Sequence, residues 1–155
     1  MSAGEIRITR NYHNMITQVT EETAKKVPTH DLNGKENGWL LELFKDGDKT
    51  IAYLSAALPG KFKGYHLHRV RAARYICLKG TMTIILFINN NFERHVLNFG
   101  QKLTIPKNIP TGLLNAGSEE AWLINYPDPP YDPSLKEEQL DFTEDELRSG
   151  KVKLV

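Results

Sequence analysis

Short apolar runs recur along this 155-residue chain, and most are closed by glycine, proline or asparagine before they reach the length of a stable helix. Trp39–Phe44 runs into Lys45-Asp46-Gly47-Asp48, Thr50–Leu58 into Pro59-Gly60, Tyr75–Leu78 into Lys79-Gly80, and Thr81–Ile88 into Asn89-Asn90-Asn91. Phe92–Phe99 stops at Gly100, Leu103–Ile105 at Pro106, and Ala121–Tyr126 at Pro127. Turn residues at spacings of about 8–12 mark strands joined by tight connections, because glycine and asparagine accept left-handed backbone and proline ends a ladder. The pattern predicts an all-β sandwich or barrel, with weak helical periodicity before residue 134. Alternation within the runs assigns Trp39, Phe44, Ile84, Leu86, Trp122 and Ile124 to the core. Cys77, between Ile76 and Leu78, reads as a buried, inert thiol.

Composition removes several function classes. The net charge is +1, which argues against a nucleic-acid protein that depends on bulk positive charge. The strongly apolar run Thr83–Ile88 is far below the ~20 residues of a membrane span. Met1–Arg7 lacks the apolar stretch of a signal peptide, and one cysteine cannot form an internal disulfide, so a cytoplasmic setting is expected. The length fits one domain over 1–155, with a barrel core over about 31–127 and an arm and tail over 128–155. Strands at Ile6–Thr9 and Ile16–Thr20 are expected to pair with the barrel or with a second chain. Pro127–Pro133 carries four prolines and reads as an extended arm. The charged tail after it reads as loosely packed surface, with a functional lid as the alternative, and Ser134 or Thr143 can cap short helices.

The chemistry concentrates between Pro59 and Arg74. His66 and His68 lie two positions apart, so on a strand both imidazoles face one site. Such a pair serves either a metal ion or proton transfer. His13, His30 and His95 have no such setting and read as surface residues.

The spacing around the pair resembles the two cupin motifs. Gly60 stands six positions before His66 and Gly80 twelve after His68, with Ala73 where the first motif has its glutamate. Gly100, Pro106 and Asn115 echo the second motif, with Thr111 at its histidine position and Asn108 at its inner glycine. The resemblance spans residues 60–115 and implies a cupin fold, the jelly-roll-like double-stranded β-helix, with an N-terminal strand segment and a short helical tail. Of the four usual metal ligands, His66 and His68 remain. Two imidazoles leave a divalent cation under-coordinated, so no metal and no cofactor is expected. A neutral imidazole is then available as a general base near neutral pH.

A narrower resemblance covers roughly residues 31–133. Asn37–Phe44, Lys63-Gly64-Tyr65-His66, Ile105–Gly112 and Tyr126–Pro133 are similar to segments of dTDP-4-dehydrorhamnose 3,5-epimerases. His66-x-His68 also resembles the histidine pair of dTDP-sugar 3,4-ketoisomerases. The likeness implies a metal-independent epimerase or isomerase acting on a 4-keto-6-deoxyhexose nucleotide sugar, a dTDP-sugar first among them. It implies His66 as base, His68 as relay or oxyanion holder, and Tyr126, after a small slip of register, as acid. Arg74, Arg71, Lys63 and Asn115 are the candidate substrate contacts, since guanidinium forks match phosphate oxygens. Departures stand at Asn37, in place of an arginine, at Ala73, near an expected lysine, and at Thr111, in place of a histidine. A homodimer built around an open strand edge is expected. The competing readings are a non-catalytic barrel that binds a sugar or small molecule, and a metal-dependent cupin enzyme.

Overall fold

The computed structural model describes Gln18 and residues 20–154. The strands expected at 6–9 and 16–20, and His13, fall on or across residues 1–17 and 19, outside the described set.

Among the described residues the chain forms eleven strands and one helix. The strands are β1 (Lys26–His30), β2 (Glu36–Asp46), β3 (Lys49–Ala57), β4 (Phe62–His68), β5 (Ala73–Lys79) and β6 (Met82–Ile88). They continue as β7 (Asn91–Leu97), β8 (Lys102–Ile105), β9 (Thr111–Leu114), β10 (Ala121–Asn125) and β11 (Gln139–Asp141), followed by α1 (Glu144–Arg148). Two antiparallel sheets result, one ordered β1-β2-β3-β10-β5-β8 and the other β11-β4-β9-β6-β7. The all-β expectation is met. The proline-rich arm runs extended beside the first sheet, bridging at Ala72↔Asp128 and Thr50↔Tyr131.

The sheets enclose a core of Met82, Ile84, Leu86, Cys77, Leu113 and Leu123, with small alanines at 57, 73 and 121. Cys77 is fully buried there, and burial pushes its thiol up, which suits an inert packing role. The neighbours of Ile84 and Leu86 on β6 point the other way. Ile85 and Phe87 join Tyr65, Leu67, Phe142 and Leu147 in a second apolar cluster. This explains why β6 is a continuous apolar run: both of its faces are covered.

The second cluster corrects the reading of the tail as loose surface. β11 adds to the open edge of β4, pairing Gln139↔His68, Leu140↔Leu67 and Asp141↔His66. Phe142 and Tyr65 exchange backbone hydrogen bonds of 2.9 and 3.0 Å. Thr143 then caps α1, accepting from the Glu146 amide while the Glu146 side chain accepts from the Thr143 amide, a reciprocal box that satisfies two orphan donors. Ser134 caps nothing; its amide and hydroxyl both turn back to Asp132.

Other core expectations need correction. Trp39 and Trp122 are half-buried on the outer face of the first sheet, each in register with Ala56, and their rings meet edge to face at 5.8 Å. Glu120 accepts from both indole N–H groups. Ile124 is likewise half-buried on that face. Phe44 is 70% exposed, because the β2–β3 pairing slips register on both sides of it and the hairpin runs past the packed layers.

A tail packed as core should behave as core. Leu147→Ala is expected to lower stability by about 2–5 kcal/mol in a denaturant titration, the scale of a buried leucine truncation. A change within about 0.5 kcal/mol, typical of surface sites, would contradict the second cluster.

Candidate functional site

Strand β4 carries the site, and a break in its regularity makes it possible. Lys63 pairs with Leu113 of β9, and His66 with Thr111, so three steps on β4 match two on β9. The extra residue is a bulge. In an unbroken strand, residues three apart face opposite sides. Here Lys63, His66 and His68 all line one cavity, while Tyr65 and Leu67 pack beneath in the second cluster. Gly64 sits in the break with φ of +129°, and a Cβ there would lie 2.7 Å from the Thr111 carbonyl oxygen. A side chain is excluded on both counts.

The cavity has a volume of about 960 Å³. The first sheet contributes Glu42, Tyr53, Ser55 and Tyr75, the second contributes Thr111 and the β4 residues, and the arm contributes Tyr131. Gln139 and Asp141 close it from β11.

His66 Nδ1 lies 2.5 Å from Asp141 Oδ1. The ring donates its Nδ1–H to the carboxylate, which leaves a lone pair on Nε2. Gln139 Nε2 donates to the same Oδ1 at 2.9 Å. The His66 bond, more than Gln139, holds the Asp141 carboxyl below its ordinary value. Both side chains keep solvent access, 43% for His66 and 51% for Asp141.

His68 is more enclosed. Its Nδ1 accepts from Arg71 Nε at 3.2 Å and lies 3.4 Å from Glu138 Oε2. Arg71 is itself buried, 3.4 Å from Glu138 Oε1 and stacked on the Tyr131 ring at 4.7 Å. Burial and the Arg71 charge pull the His68 pKa down to about 4, so the ring is neutral near pH 7.

Lys63 is buried, with its ammonium donating to Ser55 Oγ and the Ala56 carbonyl, both at 3.0 Å. Both acceptors are neutral oxygens, and no carboxylate among the described residues forms a salt bridge with it. Burial lowers its pKa from 10.5 to about 8.

Of the residues the sequence singles out, the cavity gathers His66, His68, Lys63 and Arg71. It does not gather Tyr126, Arg74 or Asn115. On β5 the residues Ala73 and Cys77 face the core, so Arg74 faces out. There its Nε donates to the Tyr126 carbonyl at 2.8 Å and its guanidinium lies 4.2 Å from the Tyr126 ring centroid. The inward position before Tyr126 belongs to Asn125, whose amide donates to the Tyr53 hydroxyl. Asn115 is buried and spent on backbone, donating to the Ala57 and Glu119 carbonyls and accepting from the Gly117 amide. Asn37, at the place of the expected arginine, bonds Thr29 and the Phe62 carbonyl. The sequence reading missed Asp141, Glu138 and Gln139, all in the tail.

No protein-family model and no curated protein matches the sequence. Solved structures do share its shape. The capsular polysaccharide assembling protein CapF from Staphylococcus aureus aligns at a TM-score of 0.62 and 17% identity, over 76% of this chain and 32% of that one. CapF with the inhibitor 3-isopropenyl-tropolone gives 0.61 and 18%, over 75% and 34%. Drosophila melanogaster CENP-C bound to CAL1 gives 0.55 and 10%, over 66% and 76%. The fold is a cupin barrel. This chain spans about one third of the CapF chains.

The residues at the cupin metal positions do not suit a metal. Ala73 is core, and the Thr111 hydroxyl donates to the Ile109 carbonyl. Arg71 donates to His68 Nδ1, which leaves the His68 proton on Nε2, and its guanidinium would oppose a cation beside that ring. Among the described residues, no three His, Cys, Asp or Glu side chains are grouped to hold one.

Lys63 gives this site a measurable cost. Its folded pKa, about 8, lies below the ordinary 10.5, so the unfolded chain holds the proton more tightly. Stability therefore rises with pH from about 8 to about 10.5 through this group, and below that window the burial cost is constant. Lys63→Met, similar in length and uncharged, is expected to raise the melting temperature near pH 7 by a few degrees. The stability gap between variant and wild type should narrow over the pH window; a gap independent of pH would contradict the buried charge.

Proposed function

We propose that this cupin barrel removes a proton from a carbon next to a carbonyl group, as an epimerase or isomerase of a keto sugar. The observation that supports this reading is the His66–Asp141 pair, an imidazole held in one tautomer with its lone pair available beside a cavity of substrate size. Removing a proton next to a ketone makes an enediolate, so the site needs a base, an acid and a cation or donor for the oxyanion. His66 is the base in this reading. Lys63, a buried ammonium facing neutral oxygens, stabilises the oxyanion. Tyr131 takes the place of Tyr126 as acid, because it lines the cavity on the far side of Arg71 from His68.

The finer proposal is a 4-keto-6-deoxyhexose carried on a nucleotide. Arg74 faces outward, so it takes no part in holding the diphosphate. CapF, a capsular polysaccharide assembling protein, fits a sugar theme. A homodimer along a sheet edge, β1 or β8, belongs to the same proposal. A second reading, a non-catalytic binding barrel, draws on the absence of Tyr126 from the cavity and on CENP-C, a likeness in shape that is bound to CAL1.

The test is deuterium uptake at carbons next to the ketone, with dTDP-, UDP- and GDP-linked 4-keto sugars in deuterated water. Exchange requires proton removal alone, so it appears even where full turnover is slow. His66→Ala should suppress it by about 10²-fold or more, the scale of a general base. Asp141→Asn should cost at least about tenfold, since it releases the imidazole tautomer. Lack of exchange with every sugar would favour the binding barrel, and full exchange in His66→Ala would remove His66 from the chemistry.

A further inference from the structure

His66 and His68 share a strand, a face and a cavity, yet their surroundings treat them in opposite ways. The Nδ1 of His66 meets a carboxylate oxygen, and the Nδ1 of His68 meets a guanidinium N–H. A guanidinium does not give up its proton in a protein, so Arg71 Nε can only donate. His68 Nδ1 must then accept, and a neutral ring that accepts at Nδ1 carries its proton on Nε2.

Several contacts hold Arg71 in this role. Its guanidinium lies on the Tyr131 ring at 4.7 Å, and Tyr131 is tied to Thr50 by backbone hydrogen bonds of 2.9 and 3.1 Å. Glu138 Oε1 stands 3.4 Å from both the Arg71 Nε and the Arg71 amide. Glu138 is buried, and its Oε2 finds no hydrogen-bond partner among the described residues although it lies 3.4 Å from His68 Nδ1. The orphan oxygen matters. Were Nδ1 protonated, Oε2 would be its natural acceptor, so Glu138 competes with Arg71 for this nitrogen. The carboxylate balances the Arg71 charge instead. The charged groups around His68 are Arg71 from the loop after β4 and Glu138 from the segment before β11, and the other titratable neighbour is His66 along β4 itself.

We propose that Arg71 and Glu138 are positioning residues that fix His68 as a neutral imidazole with its proton on Nε2, so that the cavity offers a ligand one acceptor nitrogen, from His66, and one donor N–H, from His68. That pairing is complementary to a carbonyl compound with an acidic neighbouring C–H: the acceptor meets the C–H and the donor meets the carbonyl oxygen. A neutral imidazole is a suitable donor, because it polarises the oxygen without surrendering a full proton. Low pKa supports the same state, since burial and Arg71 both resist a charged ring. The proposal rests on the preceding functional reading for what the two nitrogens act on, but the tautomers themselves are a property of the free protein.

The experiment is a long-range proton–nitrogen NMR correlation of the imidazole rings in the isotope-labelled full chain near neutral pH. His66→Asn and His68→Asn assign the two rings. The expected pattern is a protonated Nε2 and bare Nδ1 for His68, and the reverse for His66. Arg71→Met removes the donor, and loss of the Nε2–H tautomer in favour of Nδ1–H, facing Glu138, is expected. A wild-type His68 with its proton on Nδ1, or an unchanged tautomer in Arg71→Met, would overturn the proposal. The wild-type spectrum decides even if the variant fails to fold. A bare Nε2 on His68 with no deuterium uptake anywhere would fail both readings, whereas the expected tautomers without uptake would fail the enzymatic one alone.

Discussion

Strand β4 serves three neighbours at once. One face turns His66 and His68 into the cavity, the other buries Tyr65 and Leu67, and its edge is taken by β11. The pairing on that edge is what joins the tail to the chemistry. Asp141 lies opposite His66 in the ladder, and Glu138 accepts from the Arg69 amide at 2.8 Å through its carbonyl. Register in a ladder fixes side chains to within a fraction of an ångström, so the same hydrogen bonds that close a sheet edge also aim the Asp141 carboxylate. The apolar contacts of Phe142 and Leu147 supply the free energy that holds the segment there.

The cavity concentrates charge that folding alone does not favour. Lys63 and Arg71 are buried cations, one facing neutral oxygens and the other facing a buried carboxylate. Withdrawing such groups from water is costly, and apolar residues of like size would pack with less penalty. Their positions make chemical sense if the cavity must hold negative charge that appears during a reaction. Tyr53 and Tyr75 line the same space, and burial raises the Tyr75 phenol well above its ordinary value, so it stays protonated.

Much of the barrel is legible in the sequence because the signals are local. Glycine, proline and asparagine mark the connections, and the alternation of β4 places His66 and His68 together. The same alternation places Arg74 outside: Ala73, Tyr75 and Cys77 face the core, so Arg74, one step from Ala73, must face the other way. Cationic character alone draws attention to Arg74, and the pleat overrides it. Lys63 is the reverse case, brought in by a bulge that no residue pattern announces beyond Gly64 itself. Asp141 is 75 positions from His66, and nothing local connects them. A signal does exist in the tail. Leu140 and Phe142 alternate with polar residues, and Thr143 to Glu146 forms a capping box, so a strand and a helix start are written among the charges. Charge density hides them, because a few well-placed apolar residues suffice to dock a short segment.

The central claim, that the C-terminal segment is an integral part of the site, is tested most directly by native-state amide exchange at Phe142. Its N–H donates to the Tyr65 carbonyl at 2.9 Å, in the ladder that sets Asp141 against His66. The account predicts protection close to that of barrel amides such as Phe87, which donates to the Pro110 carbonyl at 3.0 Å. Exchange of the Phe142 amide at the rate of a free chain, with the barrel still protected, would contradict it.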